Sequence, residues 1–250
     1  MLEARKSRTF DRLYHSYQQG WLLPRHFHYV GMSGSLDAEH EGGVLYVMNH
    51  SSWWDGLLAY EAFRARSEGD HYVMMAEEQL KQFPFFCRLG AYSIDKTTPQ
   101  TMIASLRYTS RLLQEGKRVW MFPQGDIYHL EERPLVLKEG AAHVLRQCPE
   151  AIVIPVTAYY SLYHHQKAEA TLMSGEPLIA NWGELGKAAI TQRLAAALEQ
   201  QLERHKAAVI SCGPDGNEAF ERLAKPGGST SEAFRTFRRR ASAWKSFFGR

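Results

Sequence analysis

Two rhythms of apolar and polar positions alternate along most of this chain. Short branched or aromatic runs at 27–30, 44–48, 71–75, 91–94, 118–122, 152–158 and 170–173 predict β-strands. Longer stretches with apolar positions three and four apart, at 53–66, 99–114, 138–146 and 184–205, predict helices. The two kinds interleave. That order predicts an α/β domain with a mixed, mostly continuous β-sheet flanked by helices, and with helical termini. Pro155 interrupts the apolar run AIVIPV and predicts a bulge or strand end there. At the front, residues 1–24 predict an amphipathic helix, with Arg5, Lys6, Arg8 and Arg12 ahead of Tyr14, Tyr17 and Trp21, and Pro24 as its stop. At the back, PGGSTS at 226–231 predicts a hinge, dividing a body of 25–225 from a tail of 226–250.

Charge sharpens the reading of that tail. The 250 residues carry a net +3, but 235–250 hold six cations and no acid, so the remainder carries −3. Phe234, Phe237, Trp244 and Phe248 fall on one helical stripe, with Arg238 and Lys245 beside it, where long stems can lie along an apolar surface. This pattern fits a membrane-surface helix, and equally a stripe packed on the protein's own core. The near-neutral total excludes a dedicated nucleic-acid binder. Cys87, Cys148 and Cys212 show no paired spacing, which argues against a disulfide framework or a cysteine zinc site and suits a reducing compartment. The longest apolar runs are far short of the 20 or so residues a membrane span needs, and no secretory signal is visible. The expected location is cytoplasmic, peripheral to the membrane face.

Candidate chemistry concentrates at two strand ends. In VLYVMNHSSWWDGLLAY a strand gives way to Asn49, His50 and two serines, then to an apolar helix. His50 and Asp55 are five residues apart and would diverge by about 140° on one regular helix. They meet only if His50 sits in the turn and Asp55 in the first helical turn, with Ser51 or Ser52 as N-cap. A carboxylate on one imidazole nitrogen fixes the tautomer and makes the other nitrogen a better base, although a cap histidine beside a helix-start aspartate would read the same way. The second strand end is RVWMFPQGDIY, where Pro123-Gln124-Gly125 makes a tight turn and the Gly125 N–H is placed to stabilise an oxyanion. His26, His28, His164 and His165 lack a third ligand at metal spacing, so no metal is expected.

In order, NHSSWWD at 49–55, AEEQLKQFPFFCRLGAYSIDK at 76–96, FPQG at 122–125 with LKEGAAHVL at 137–145, and VIPV at 153–156 resemble the lysophospholipid acyltransferase family, which includes the 1-acylglycerol-3-phosphate acyltransferases. The resemblance spans roughly residues 25–180. It implies transfer of an acyl group from acyl-CoA or acyl-carrier protein, as co-substrate, to a lipid hydroxyl, without a cofactor. It also implies His50 as base, Asp55 as its orienter, and Asn49, Pro123, Gln124 and Gly125 as oxyanion or substrate-binding residues. The family's third block usually reads Phe-Pro-Glu-Gly-Thr-Arg. Here Gln124, Asp126 and Ile127 replace the glutamate, threonine and arginine. Lys96 keeps a cation for an acceptor phosphate, and Arg133 is the expected stand-in for the missing arginine. The acceptor is then a lysophospholipid, or else a neutral lipid, glycolipid or glycosylated isoprenoid. Two rivals remain: a thioesterase or lipid hydrolase using the same histidine on water, and a non-catalytic lipid-binding protein on a degenerate body.

Overall fold

The computed structural model describes residues 1–38, 40, 42–213, 219–228, 234 and 238. Its centre is an eight-stranded sheet. In chain order the strands are β1 (Phe27–Ser33), β2 (Val44–Met48), β3 (His71–Ala76), β4 (Ala91–Ile94), β5 (Arg118–Met121), β6 (Ile152–Ser161), β7 (Ala168–Ser174) and β8 (Glu221–Arg222). They lie in the order β4-β3-β5-β2-β6-β7-β1-β8. The first five of these neighbours are parallel, and β6 pairs antiparallel with β7. The helices are α1 (Arg8–Tyr17), α2 (Leu23–His26), α3 (Asp55–Arg66), α4 (Glu77–Gln82), α5 (Pro99–Gln114), α6 (Gly140–Gln147) and α7 (Lys187–Cys212).

A parallel strand covered on both faces buries every side chain, which is why the central strands read as unbroken apolar runs. All five residues of β2 are buried. Val44, Tyr46 and Met48 pack on Leu58, Phe63 and Trp120 beneath α3. Leu45 and Val47 face the other way, onto Leu106, Leu112, Val144 and Leu198 of α5, α6 and α7.

Pro155 does not break β6, which runs through it. Its carbonyl accepts from Gly175 N–H at 2.8 Å, on the β7 side. The absent proline N–H faces the same side, just beyond Ser174 where β7 ends, so the ladder to β2 on the other side is untouched.

The expectations for the two ends need three corrections. Residues 1–7 are not helical; they run along the edge strand β4, where Ser93 N–H donates to the Leu2 carbonyl, and so cover an exposed edge. Pro24 does not stop the helix either. A π-turn (Gln18–Leu22) joins α1 to α2, with Leu23 N–H reaching back to the Gln18 carbonyl, and Pro24 sits in the first turn of α2, where its missing donor costs nothing. The expected hinge begins in a docked segment. Gly227 N–H bonds to the His28 carbonyl, and a Cβ on Gly227 would lie 2.0 Å from the Phe27 carbonyl oxygen. Of the tail stripe, Phe234 and Arg238 are exposed, while Phe237, Trp244, Lys245 and Phe248 lie outside the described residues.

Glu61 of α3 is fully buried under α1 and the π-turn, where its Oε1 accepts from Gln19 and its Oε2 has no hydrogen-bond partner among the described residues. Burial raises its pKa to about 7. An acid with a raised folded pKa holds its proton in the folded chain after the unfolded chain has released it. Stability is therefore full below about pH 4.5 and falls as pH rises towards 7. Glu61→Gln keeps the Gln19 contact and removes that loss. Melting curves should show the variant gaining on the order of 2–3 kcal/mol at pH 8 and little at pH 4.5. An equal gain at both pH values would contradict the assignment.

Candidate active site

The carboxyl ends of parallel strands share one edge of the sheet, and the predicted site residues gather there. β2 ends one residue before Asn49. Its side chain continues the ladder along the longer β6, accepting from Ala158 N–H at 2.8 Å and donating to the Ala158 carbonyl at 3.1 Å. The chain then turns, and His50 Nδ1 meets Asp55 Oδ2 at 2.8 Å. Asp55 is completely buried, whereas the His50 side chain is 22% exposed. The same Oδ2 accepts from Ser51 N–H at 2.7 Å and from Ser52 N–H at 2.9 Å. The serine N-cap expected from sequence is thus replaced. Trp54 occupies the cap position without a side-chain bond, and Asp55 reaches back to hold the turn.

The turn after β5 closes over this pair. Phe122 packs its ring on the His50 imidazole with centroids 4.7 Å apart. Gln124 is buried, and its Oε1 accepts from His50 N–H at 2.8 Å, so the amide that replaces the family's glutamate holds the histidine backbone. Among the described residues His50 Nε2 makes no hydrogen bond. Gly125 adopts φ +82°, a left-handed conformation that favours glycine. Its N–H donates to the Phe122 carbonyl at 3.0 Å, so this donor, expected to face an oxyanion, closes the turn instead. Pro123 accepts from Lys138 N–H at 2.8 Å and fixes the loop that leads to α6.

Two lysines flank Gly125. Lys96, from the turn after β4, donates to the Gly125 carbonyl at 2.6 Å and lies 3.8 Å from Asp126. Lys138 approaches from the other side, with Cγ 3.2 Å from where a Gly125 Cβ would stand. Arg133 is not available as the missing arginine. It is tied to Glu203 of α7 at 3.0 Å and to the Leu130 and Glu132 carbonyls, which anchors the loop between β5 and α6. Lys138 was overlooked in the sequence because only the turn geometry places it beside Gly125.

The other overlooked residue is Tyr160, whose hydroxyl donates to Asp55 Oδ1. Burial, with the Asp55 carboxylate as second cause, holds its phenol far above the ordinary tyrosine range. No spacing rule connects positions 105 residues apart.

Several other histidines are engaged elsewhere. His28 stacks on His165, and His205 bridges Thr157 and Thr171. Among the described residues no three His, Cys, Asp or Glu side chains form a metal-sized group. A cleft of about 920 Å³ among Lys6, Arg12, Arg64 and Arg88 opens on the opposite edge of the sheet, away from His50.

This edge carries a buried-aspartate, exposed-histidine pair on a mixed sheet, and the family model for acyltransferases matches residues 30–159, more than half of the chain. The chain belongs to the acyltransferase family and is an acyltransferase. Among solved structures, the 1-acyl-sn-glycerophosphate (LPA) acyltransferase PlsC from Thermotoga maritima is similar in fold. It has a TM-score of 0.57 and 18% identity, over 80% of this chain and 79% of that one. No curated protein matches the sequence.

Proposed function

We propose that this enzyme moves a fatty acyl group from acyl-CoA or acyl-carrier protein onto the hydroxyl of a lysophospholipid, with His50 as general base and Asp55 as its orienter. The observation that carries the reading is the His50–Asp55 hydrogen bond at the strand edge, which leaves Nε2 unengaged. Nε2 takes the acceptor's hydroxyl proton as the oxygen attacks the thioester carbonyl. The tetrahedral intermediate then collapses, the C–S bond breaks, and the departing sulfur takes that proton from the imidazolium. Asp55 stays ionised throughout and stabilises the transient cation. Neutral histidine is regenerated, and no acyl-enzyme forms.

Lys96 and Lys138 favour a phosphate-bearing acceptor over a neutral one. The charge of Asp126, which would repel a phosphate, is turned towards Lys96. Lys96→Ala should raise KM about 10-fold for a lysophosphatidic acid while leaving KM for a monoacylglycerol unchanged. An equal change for both acceptors would contradict a phosphate role.

The enzyme also meets its acceptor at a membrane surface in this reading. Trp53, Ile127, Val136 and Leu162 follow the carboxyl ends of β2, β5 and β6, on the His50 edge, and each is about half exposed or more. No helix among the described residues is long and apolar enough to cross a membrane, so contact would be interfacial. With the acceptor held in anionic vesicles, the same assay reads docking as co-flotation. A chain left in the free fraction contradicts it.

A further inference from the structure

Asp55 receives more donors than a simple orienter needs, and one of them comes from outside the family's sequence blocks. Three donors converge on Oδ2: His50 Nδ1–H and the N–H groups of Ser51 and Ser52. Oδ1 is left to a single partner, the Tyr160 hydroxyl. The fold builds this contact deliberately. β6 runs five residues past its last pairing with β2 at Val156, and Asn49 seals the gap at Ala158. Pairing with Ala170 of β7 fixes the Tyr160 backbone, and Phe27 lies beside its ring.

We infer that Tyr160 is a positioning residue that sets the basicity of His50 through Asp55. The inference rests on the proposed role of the His50–Asp55 pair. A hydroxyl donating to Oδ1 withdraws negative charge from the carboxylate, and a less basic carboxylate stabilises the imidazolium less. Tyr160 thereby limits how strongly Asp55 stabilises the imidazolium formed during transfer. The titratable groups around the pair are Asp55 of α3 on His50, Tyr160 of β6 on Asp55, and Tyr128, whose N–H donates to the His50 carbonyl; Lys96, Lys138 and Asp126 lie about Gly125 in the adjoining turn. Phe122 and Gln124 of the β5 turn are uncharged, and His26 of α2 packs against Trp54.

Tyr160→Phe keeps the ring and removes only the hydroxyl. Its pH–rate profile should show the rising limb moved to higher pH by about half a unit to one unit, with kcat at pH 7 down about 2- to 4-fold and KM for the acceptor little changed. On an Asp55→Asn background the same substitution should have no further effect on the limb. Site-specific 3-fluorotyrosine at position 160, a stronger donor of the same shape, should move the limb to lower pH, and it serves if the phenylalanine variant folds poorly. An unmoved limb in Tyr160→Phe or the fluorotyrosine protein overturns the inference, as does an additive effect with Asp55→Asn. His50→Ala distinguishes the two levels. If it retains turnover, the base assignment fails; if it is inactive while the limb stays put, only the role of Tyr160 fails.

Discussion

Replacing His50 with alanine should lower kcat for acyl transfer by about 10³-fold or more while leaving the melting temperature nearly unchanged. The two halves of that expectation have separate causes. The loss of rate follows because Nε2 is the nitrogen placed to take the acceptor's proton, and an unassisted hydroxyl is a poor nucleophile for a thioester. The preserved fold follows from the partners left behind. Asp55 keeps Ser51 N–H, Ser52 N–H and the Tyr160 hydroxyl, so its buried charge is still satisfied. The imidazole is also partly exposed and is not one of the core residues. Steady-state rates with a thioester donor and a lysolipid acceptor check the first half, and thermal melts the second.

Asp55→Asn should cost about 10³-fold in kcat at a similar melting temperature. The asparagine oxygen can keep Ser51 and Ser52, and its NH₂ can face Tyr160, whose hydroxyl then turns to accept. The site stays packed, but the negative charge that stabilises the imidazolium is gone. Asp55→Ala should behave differently, because it strands four donors, from His50, Ser51, Ser52 and Tyr160, and should destabilise the fold by about 1–3 kcal/mol or more. A large loss of rate in Asp55→Asn beside a large loss of stability only in Asp55→Ala separates an electrostatic role from a structural one. Comparable activity in Asp55→Asn and the unsubstituted chain would contradict it.

Local pattern was most informative where local physics decides. The strands Val44–Met48 and Ala91–Ile94 and the helix Pro99–Gln114 have the boundaries their apolar rhythm predicts, the last with Thr98 as N-cap. The His50–Asp55 geometry was readable for the same reason, since a five-residue separation leaves one workable arrangement. Features decided by distant partners were not readable. Pro155 sits inside a strand because β7 happens to end at Ser174. The glycine-rich stretch beginning at Pro226 reads as a hinge, yet Gly227 is held against β1 by a close backbone approach. Arg133 looked free until α7 supplied Glu203. Tyr160 carries no motif, because its role depends on how far β6 outruns β2. Short helices such as Glu77–Gln82 and the two-residue strand Glu221–Arg222 contain too few residues to express a period.

Parallel counting of thiol released and ester formed tests the central claim most directly. The purified enzyme would receive an acyl thioester with and without a lysophospholipid, beside its His50→Ala variant. Acyl transfer by a histidine base predicts one ester per thiol, little release without acceptor, and neither product from the variant. Thiol released at the same rate without acceptor would mark a hydrolase, and ester formation that survives the loss of His50 would contradict the mechanism.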